Sequence, residues 1–223
     1  FNEQLNRYEY FGNTDWFDEL YKDVMPATDV AMSVSGGSEN ANFYLSGRYY
    51  HQSGIFNYSP DIYDRFNIRA KGEVKANEWV TFQDNFGIST YNYDYPLLAN
   101  GDAGIWRYLA VQGFPMSVMT NPDGTYTHNT SYTMASFVEG NSKSEQTNFY
   151  VRNTAAIIAE PIKNVMTLKA DFTFSKQWDK DKRWNNYINY SNGPDHLSRY
   201  GNSNLRQFND ETTYWVSNIT ADY

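Results

Sequence analysis

The chain has 223 residues and no cysteine, which excludes disulfides, thiolate metal sites and thiol nucleophiles. Its formal net charge of -8 argues against a nucleic-acid partner, because nucleic-acid binding needs a basic surface. The chain contains 20 Tyr, 14 Phe and 6 Trp at a mean hydropathy of -0.72. No window holds roughly 18 consecutive apolar residues, which excludes a transmembrane helix; the alternating strands of a β-barrel would dilute hydropathy in this way.

The first predicted elements are a short helix and two strands. Residues 1–27 are polar and aromatic, and we expect a helix that Asn13 or Thr14 caps and that Pro26 ends. Apolar and polar residues then alternate over 28–36 and again from 43 to about 52, which predicts two strands joined by a turn at 36–40. A connection at 53–62 follows, interrupted by Gly54 and Pro60.

A hairpin at residues 63–91 has the clearest pattern. One face carries Phe66, Ile68, Ala70, Gly72 and Val74, and the other carries Arg65, Asn67, Arg69, Lys71 and Glu73. Each arm has about ten residues or more, whereas soluble strands usually have about 5 to 6 and a tilted membrane-spanning strand needs roughly 9 to 11. The second arm places Asp84 between Phe82 and Phe86 on the apolar face, where lipid exposure is costly. This carboxylate favours a soluble fold unless a β-bulge near residues 83–85 turns it inward.

The remaining chain repeats the hairpin between longer connections. Residues 92–145 hold a helical turn at 103–112 and a turn at 121–124. Two strands at 149–159 and 166–175 flank a turn at 161–164, and a charged connection at 179–210 precedes a last strand at 212–223.

Connection lengths predict the overall fold. Long and short connections alternate, as in outer-membrane barrels with short periplasmic turns and longer extracellular loops. This alternation of connection lengths predicts Asn57, Gly101 and Asn192 on the extracellular side. It predicts Gly36, Asn77 and Lys163 on the periplasmic side. We therefore predict an all-β, antiparallel up-and-down meander that is part of a large transmembrane β-barrel with long extracellular loops. Residues 1–27 would be an extracellular loop segment and residues 28–223 a partial barrel of about seven strands.

A soluble antiparallel sandwich or barrel is the alternative, because it also alternates apolar and polar residues. The two hypotheses differ in the surroundings of six apolar side chains. These are exposed on one face in a barrel wall and covered in a soluble domain. They are Phe66, Ile68, Ala70, Met166, Leu168 and Phe172.

Four stretches carry motifs in a fixed order. They are NTDWFDE at 13–19, VSGGSENANFYLS at 34–46, QSGIF at 52–56 and DRFNIR at 64–69. In this order they resemble the early barrel region of SusC/RagA-type TonB-dependent outer-membrane transporters. In that family the first motif lies in an extracellular loop and the second in a periplasmic turn, which agrees with the sidedness from loop lengths.

The resemblance implies a barrel of about 22 strands with an amino-terminal plug, located in the outer membrane of a Gram-negative cell. It also implies import of oligosaccharide or peptide with a SusD-like surface lipoprotein, energised through TonB. The chain shows no plug, no TonB-contacting segment and too few strands, so we expect it to be a fragment of such a transporter embedded in a lipid bilayer.

Catalytic and metal sites find no support in the sequence. His51, His128 and His196 are scattered and lack the spacing of a zinc site or a Ser–His pair, so we predict no catalytic residue, no metal ligand, no cofactor and no enzymatic activity. Two other functions stay open: a soluble β-rich carbohydrate-binding module, and part of a glycoside hydrolase with two paired carboxylates.

Four aromatic residues are the candidate substrate-binding residues. They lie in or beside predicted extracellular loops, where flat faces would line a glycan or peptide path. The alternative is that they pack within their own loops or form an interfacial aromatic girdle. They are Trp106, Tyr108, Trp178 and Trp184.

Overall fold

A seven-stranded antiparallel sheet organises the computed structural model, which describes residues 1–59 and 61–223. Its strands follow one another in chain order, and the last of them pairs with β6. The predicted all-β up-and-down meander is therefore confirmed. The strands are β1 Ala27–Gly37, β2 Ala41–Ser53, β3 Ile62–Lys75, β4 Val80–Pro96, β5 Lys143–Ile162, β6 Met166–Asn185 and β9 Asn204–Asp222, with a separate small hairpin of β7 Ile188–Ser191 and β8 Leu197–Tyr200.

The connections separate by length, as the sequence predicts. Those around Asn57, Gly101 and Asn192 lie at one end of the sheet, because the strands run antiparallel and consecutive. The short turns at 38–40, 76–79 and 163–165 lie at the other end. Pro60, predicted to interrupt the first long connection, lies outside the described residues.

Four strands are longer than the sequence predicts: β4 continues to Pro96 rather than 91, and the other three extensions are polar on both faces. β5 begins at Lys143 rather than 149, β6 continues to Asn185 rather than 175, and β9 begins at Asn204 rather than 212. Polar and charged side chains occupy both faces of these extensions, so the apolar contrast that marks a strand disappears. Backbone pairing nevertheless continues along the full length of all three strands.

Four short helices lie in the connections: α1 Trp16–Leu20, α2 Ile105–Gln112, α3 His128–Tyr132 and α4 Ala135–Glu139. The N-cap of α1 is Asp15, which accepts hydrogen bonds from two backbone N–H groups, and not Asn13 or Thr14. The helix also ends at Leu20, well before Pro26. Within the described residues, no helix has the length and apolar character needed to cross a membrane.

The β-bulge near residues 83–85 that would turn Asp84 inward is absent from the described strands. Asp84 pairs in continuous register with Gly72 on β3 and with Ala155 on β5. The register shift in this sheet lies elsewhere, between Ala159 and Ile162. Asp84 therefore stays on the apolar face.

The main hydrophobic core lies beside the sheet, at the end with the long connections. We call this region the cap; it comprises residues 1–26, 54–59, 97–142 and 186–203. Its core side chains have at most 3% of their surface exposed. They are Trp16, Leu20, Leu98, Ile105, Leu109, Met134 and Phe137.

Candidate functional site

One face of the sheet is apolar across all seven strands. Phe66 is paired with Tyr49 on β2 and with Thr90 on β4, and side chains of directly paired residues share a face. Following this register across the sheet gives the apolar band, which consists of Val30, Met32, Val34, Phe43, Leu45, Tyr49, Phe66, Ile68, Ala70, Val74, Phe82, Phe86, Ile88, Phe149, Val151, Ala155, Ile157, Leu168, Ala170, Phe172, Phe174, Trp178, Trp215, Ile219 and Ala221.

The apolar band is not covered by another layer. Among residues 1–59 and 61–223, none of the six side chains that distinguish a barrel wall from a soluble domain is buried. Phe66 is 43% exposed, Phe172 is 48% exposed and Ile219 is 84% exposed. A soluble domain cannot leave so large a contiguous apolar surface in water. The structure therefore favours the barrel wall over the sandwich.

The height of the band matches the apolar belt of an outer-membrane barrel. From Leu168 to Trp178 a strand advances about 33 Å, which at the usual tilt of about 40° spans roughly 25 Å. Aromatic rings lie at its upper border, where Phe149 and Trp178 have ring centroids 5.5 Å apart. Polar groups follow in the next row, in which His51 Nδ1 is 2.8 Å from Asp64 Oδ1.

The opposite face of the sheet is polar and cross-linked by hydrogen bonds. The Arg48 guanidinium donates to both carboxylate oxygens of Asp29, at 2.8 and 2.5 Å. Glu73 accepts from the side-chain amides of Asn42 at 3.4 Å and Gln83 at 2.8 Å. Such charged groups are stable beside a hydrated lumen, whereas their exposure to lipid would cost too much desolvation free energy.

Five tyrosines form a cluster at the upper end of this polar face. Tyr63 is central: its ring stacks on Tyr91 at 5.7 Å and meets Tyr50 at 6.1 Å and Tyr93 at 6.0 Å edge-on. The Tyr93 ring lies 4.9 Å from that of Tyr95. The cluster presents flat apolar rings with polar tips just below the cap, an arrangement suited to binding sugar rings or peptide side chains.

Side chains of the motif at residues 13–19 form hydrogen bonds with other segments of the cap. The Trp16 indole N–H donates to the carbonyl of Phe114 at 3.0 Å, and the Thr14 hydroxyl donates to the carbonyl of Ser117 at 2.8 Å. The side-chain amide of Asn57 donates to three carbonyls at the end of α1, at 3.0 to 3.2 Å. These contacts tie segments far apart in sequence into one unit.

The four predicted aromatic site residues fall into two separate pairs. Trp106 lies on the outer side of α2 with 64% of its surface exposed, and Tyr108 packs against the cap core with its hydroxyl accepting from Asn100 at 2.8 Å. Trp178 and Trp184 lie in strand β6, on the face of the apolar band and so away from the polar face. The structure therefore does not bring the four together.

The tyrosine cluster is not among the sequence predictions, although part of its pattern can be recognised in the sequence. Tyr91, Tyr93 and Tyr95 recur at every second position, so a continuous strand must place them on one face. Tyr50 and Tyr63 join only through strand pairing, which sequence alone does not reveal. The predicted strand ended at residue 91 and so hid the repeat.

Comparisons with known proteins agree with this architecture. No family model matches the chain. The chain is 26% identical over 225 aligned residues to TonB-dependent receptor P26 of Formosa agariphila, covering 96% of the chain and 20% of that protein. It is 31% identical over 121 residues to TonB-dependent receptor P3 of the same organism, covering 52% of the chain and 12% of that protein.

Solved structures show the same fold. Two structures of RagAB, one titled a peptide transporter and one a peptide importer in its closed-closed state, superpose on 95% of the chain with TM-scores of 0.57 and 0.53. Sequence identity to both is 17%. The resemblance to SusC/RagA-type TonB-dependent transporters is confirmed. The chain corresponds to 31 to 32% of the chains it matches in those structures and to 12 to 20% of the curated relatives.

Proposed function

We propose that this chain forms part of the barrel wall of a SusC-like transporter in the outer membrane of a Gram-negative cell. The exposed apolar band, about 25 Å tall, carries this proposal, because its height matches the hydrocarbon core that such a surface faces in an outer-membrane barrel. TonB-dependent receptors are outer-membrane proteins, and the two curated relatives bear that name. In this assignment residues 1–27 belong to an extracellular loop and residues 28–223 to the barrel.

The transported substrate in this proposal is an oligosaccharide or a peptide. Support comes from the RagAB structures, which are titled as a peptide importer and a peptide transporter. A SusD-like lipoprotein would hand the substrate to the cap, and TonB would supply energy through parts of the transporter outside this sheet. The role of this chain is to enclose the path, and we assign it no catalytic step.

The tyrosine cluster and two cap residues are the substrate contacts we propose. Tyr63 and Tyr93 face the lumen just below the cap, and Trp106 and Tyr108 lie within the cap above them. Trp178 and Trp184 fit an interfacial girdle better, because their face is the one that meets lipid. In the full-length transporter, Trp106→Ala and Tyr93→Ala should each weaken substrate binding and uptake at unchanged expression, and normal values would remove that residue from the path.

Single cysteines test the membrane assignment directly, since the chain has no cysteine of its own. Phe66→Cys and Asn67→Cys are adjacent but lie on opposite faces of β3. In intact outer membranes a water-soluble maleimide should label position 67 and spare position 66, because thiolate reaction needs water. A hydrophobic photoreactive probe dissolved in the bilayer, which needs no thiolate, should instead label position 66 and spare position 67.

A second pair of single-cysteine variants, on β6, controls for local distortion of β3. Phe172→Cys should behave as position 66 does, and Asp171→Cys, its partly exposed neighbour on the polar face of β6, should behave as position 67 does. Equal labelling of all four positions by the water-soluble reagent would contradict the membrane assignment. Sparing of positions 66 and 172 by both reagents would favour the soluble carbohydrate-binding module, in which these side chains are covered.

A further inference from the structure

Strand β6 carries an unusual series of side chains that crosses the upper border of the apolar band. Alternate residues of the strand share the face of Phe172 and Phe174, and above them this series is Lys176, Trp178, Lys180, Lys182 and Trp184. Lys143 of β5 is paired with Trp184 and extends the series across the ladder. We call these six residues the lysine–tryptophan ladder.

The tryptophan rings hold the ammonium groups at the surface of the sheet. Lys182 Nζ lies 4.4 Å and Lys143 Nζ 5.1 Å from the ring centroid of Trp184. Lys176 Nζ lies 4.8 Å from the ring centroid of Trp178. Cations over the faces of aromatic rings lose freedom without losing charge, so they remain available to an anion.

A groove lies at the border between the ladder and the apolar band. It has a volume of about 300 Å³ and is lined by Thr147, Phe149, Trp178 and Lys180. Phe149 and Trp178 give it an apolar floor that continues the band, while Lys180 places a cation at its upper rim. This combination suits a molecule with an apolar tail and an anionic head.

Part of the positive charge on the ladder is not neutralised. Lys143 pairs with Glu145 at 2.7 Å and Lys176 pairs with Glu211 at 3.1 Å. Within residues 1–59 and 61–223, Lys180 and Lys182 have no carboxylate within ion-pair distance.

The neighbours of the two free lysines differ. Residues paired with Lys180 are Thr147 and Asn209, both neutral. Lys182 is paired with Glu145 and Gln207, and Glu145 is in turn paired with Asp94. The uncompensated charge is therefore greatest at Lys180, beside the groove, in a chain whose net charge is -8.

We propose that the lysine–tryptophan ladder binds the phosphate-bearing headgroup of an anionic lipid in the outer leaflet. Lys180 and Lys182 stand about 7 Å apart along the strand, so their ammonium groups can bracket one phosphate. The groove between Phe149 and Trp178 receives the first part of an acyl chain. This inference rests on the proposed function, because it requires the band to lie in a membrane.

The test uses the full-length protein purified from outer membranes, with bisphosphorylated lipid A as the probe and native mass spectrometry as the readout. A double variant, Lys180→Gln with Lys182→Gln, should weaken lipid A binding about 10- to 30-fold, since each lysine near a membrane surface contributes roughly fivefold. The matched control removes two lysines of the polar face, Lys71→Gln with Lys169→Gln, and should leave binding unchanged.

Each result has a defined meaning. Equal binding by wild type and the double variant overturns the proposal, as does an equal loss in the control. Competition by inorganic phosphate at the same concentration as lipid A also overturns it, because the site would then hold a free anion. A wild-type protein that fails to partition into bilayers would reject the proposed function itself, a result visible before any lipid A is added.

Discussion

The side-chain amide of Asn153 donates to both carboxylate oxygens of Asp84, at 2.9 and 3.2 Å, within the otherwise apolar band. The two residues lie on neighbouring strands, and the amide partly replaces the water that the carboxylate loses. The same two residue types meet on the polar face, where the Asn218 amide donates to one carboxylate oxygen of Asp171 at 2.9 Å. The sheet thus offers the same pair of side chains in two environments.

Removing the charge of Asp84 should stabilise the sheet in a bilayer. Asp84→Asn keeps the shape and a hydrogen-bonding group, and we expect a gain of about 1 kcal/mol in unfolding free energy, because a carboxylate facing lipid carries a depth-dependent cost. Asp171→Asn is the matched control and should give no gain. The measurement is urea unfolding of the full-length protein refolded into vesicles. Equal effects of the two changes would mean that Asp84 does not face lipid.

The indole of Trp16 should hold the cap together without supporting the sheet. Trp16 is 3% exposed, and its deletion in Trp16→Ala should cost the cap about 3 to 5 kcal/mol through lost burial and a lost hydrogen bond. Phe17→Ala, next to it on α1 but 51% exposed, should cost far less. Hydrogen exchange should rise in residues 105–139 of the first variant alone, while β3 to β6 stay protected. Exchange spreading into those strands would contradict a separate cap.

Gly54 should not tolerate a side chain. A Cβ atom there would lie 1.8 Å from Asp61 Oδ1 and 2.1 Å from the Asp61 carbonyl, so Gly54→Ala must displace the backbone between β2 and β3. We expect a loss of about 1 to 3 kcal/mol, the usual range for overpacking. Gly47→Ala is the control, because its nearest neighbour would be 4.0 Å away. Protease cleavage within residues 54–61 reports the change, and equal resistance of both variants would count against this reading of the motif.

Acid should loosen the contact between α3 and β7. The His128 ring stacks on Tyr190 at 4.9 Å and meets Tyr132 edge-on at 5.2 Å. Desolvation, assisted by the positive charge of Arg7, lowers the pKa of His128 below its usual 6.5. A lowered histidine pKa means that the folded cap favours the neutral ring. The stabilisation is therefore complete above about pH 6.5 and declines as the pH falls through the folded-state pKa.

A histidine-free variant isolates this effect. In His128→Phe the aromatic contacts remain and the titration disappears, so proteolysis of the cap should no longer increase between pH 7 and pH 5. Wild type and variant are compared at each pH, which cancels the pH dependence of the protease. The same acid response in both would assign it to another group.

The sequence predicts the part of the fold that depends on local alternation. Residues 65–74 and 166–175 have unlike faces, so their strands and their exposure follow directly. Beyond residue 176 both faces of β6 carry polar groups, and only pairing with β5 and β9 shows that the strand continues. The cap core is harder still to predict from sequence, because Trp16 packs with Leu109 and Phe137 from more than ninety residues away and no short-range pattern links them.

The same limit applies to the candidate site. Trp178 and Trp184 were predicted beside a loop because the strand appeared to end before them, and the pairing that places them on β6 is not local. Trp106 and Tyr108 were located correctly within a helical turn. The tyrosine cluster required three strands to be aligned before Tyr50, Tyr63 and Tyr91 could be recognised as neighbours.

The apolar band has a consequence for how this chain can change over time. Its side chains meet a fluid, so no opposing surface demands a particular volume or shape, and leucine, valine or phenylalanine serve equally at most positions. Gly54, Asn57 and Trp16 instead fit fixed neighbours. Sequence drift should therefore be fast on the lipid face and slow in the cap. Homologues should then share specific residues in their loops, while their strands share only the alternation of apolar and polar residues.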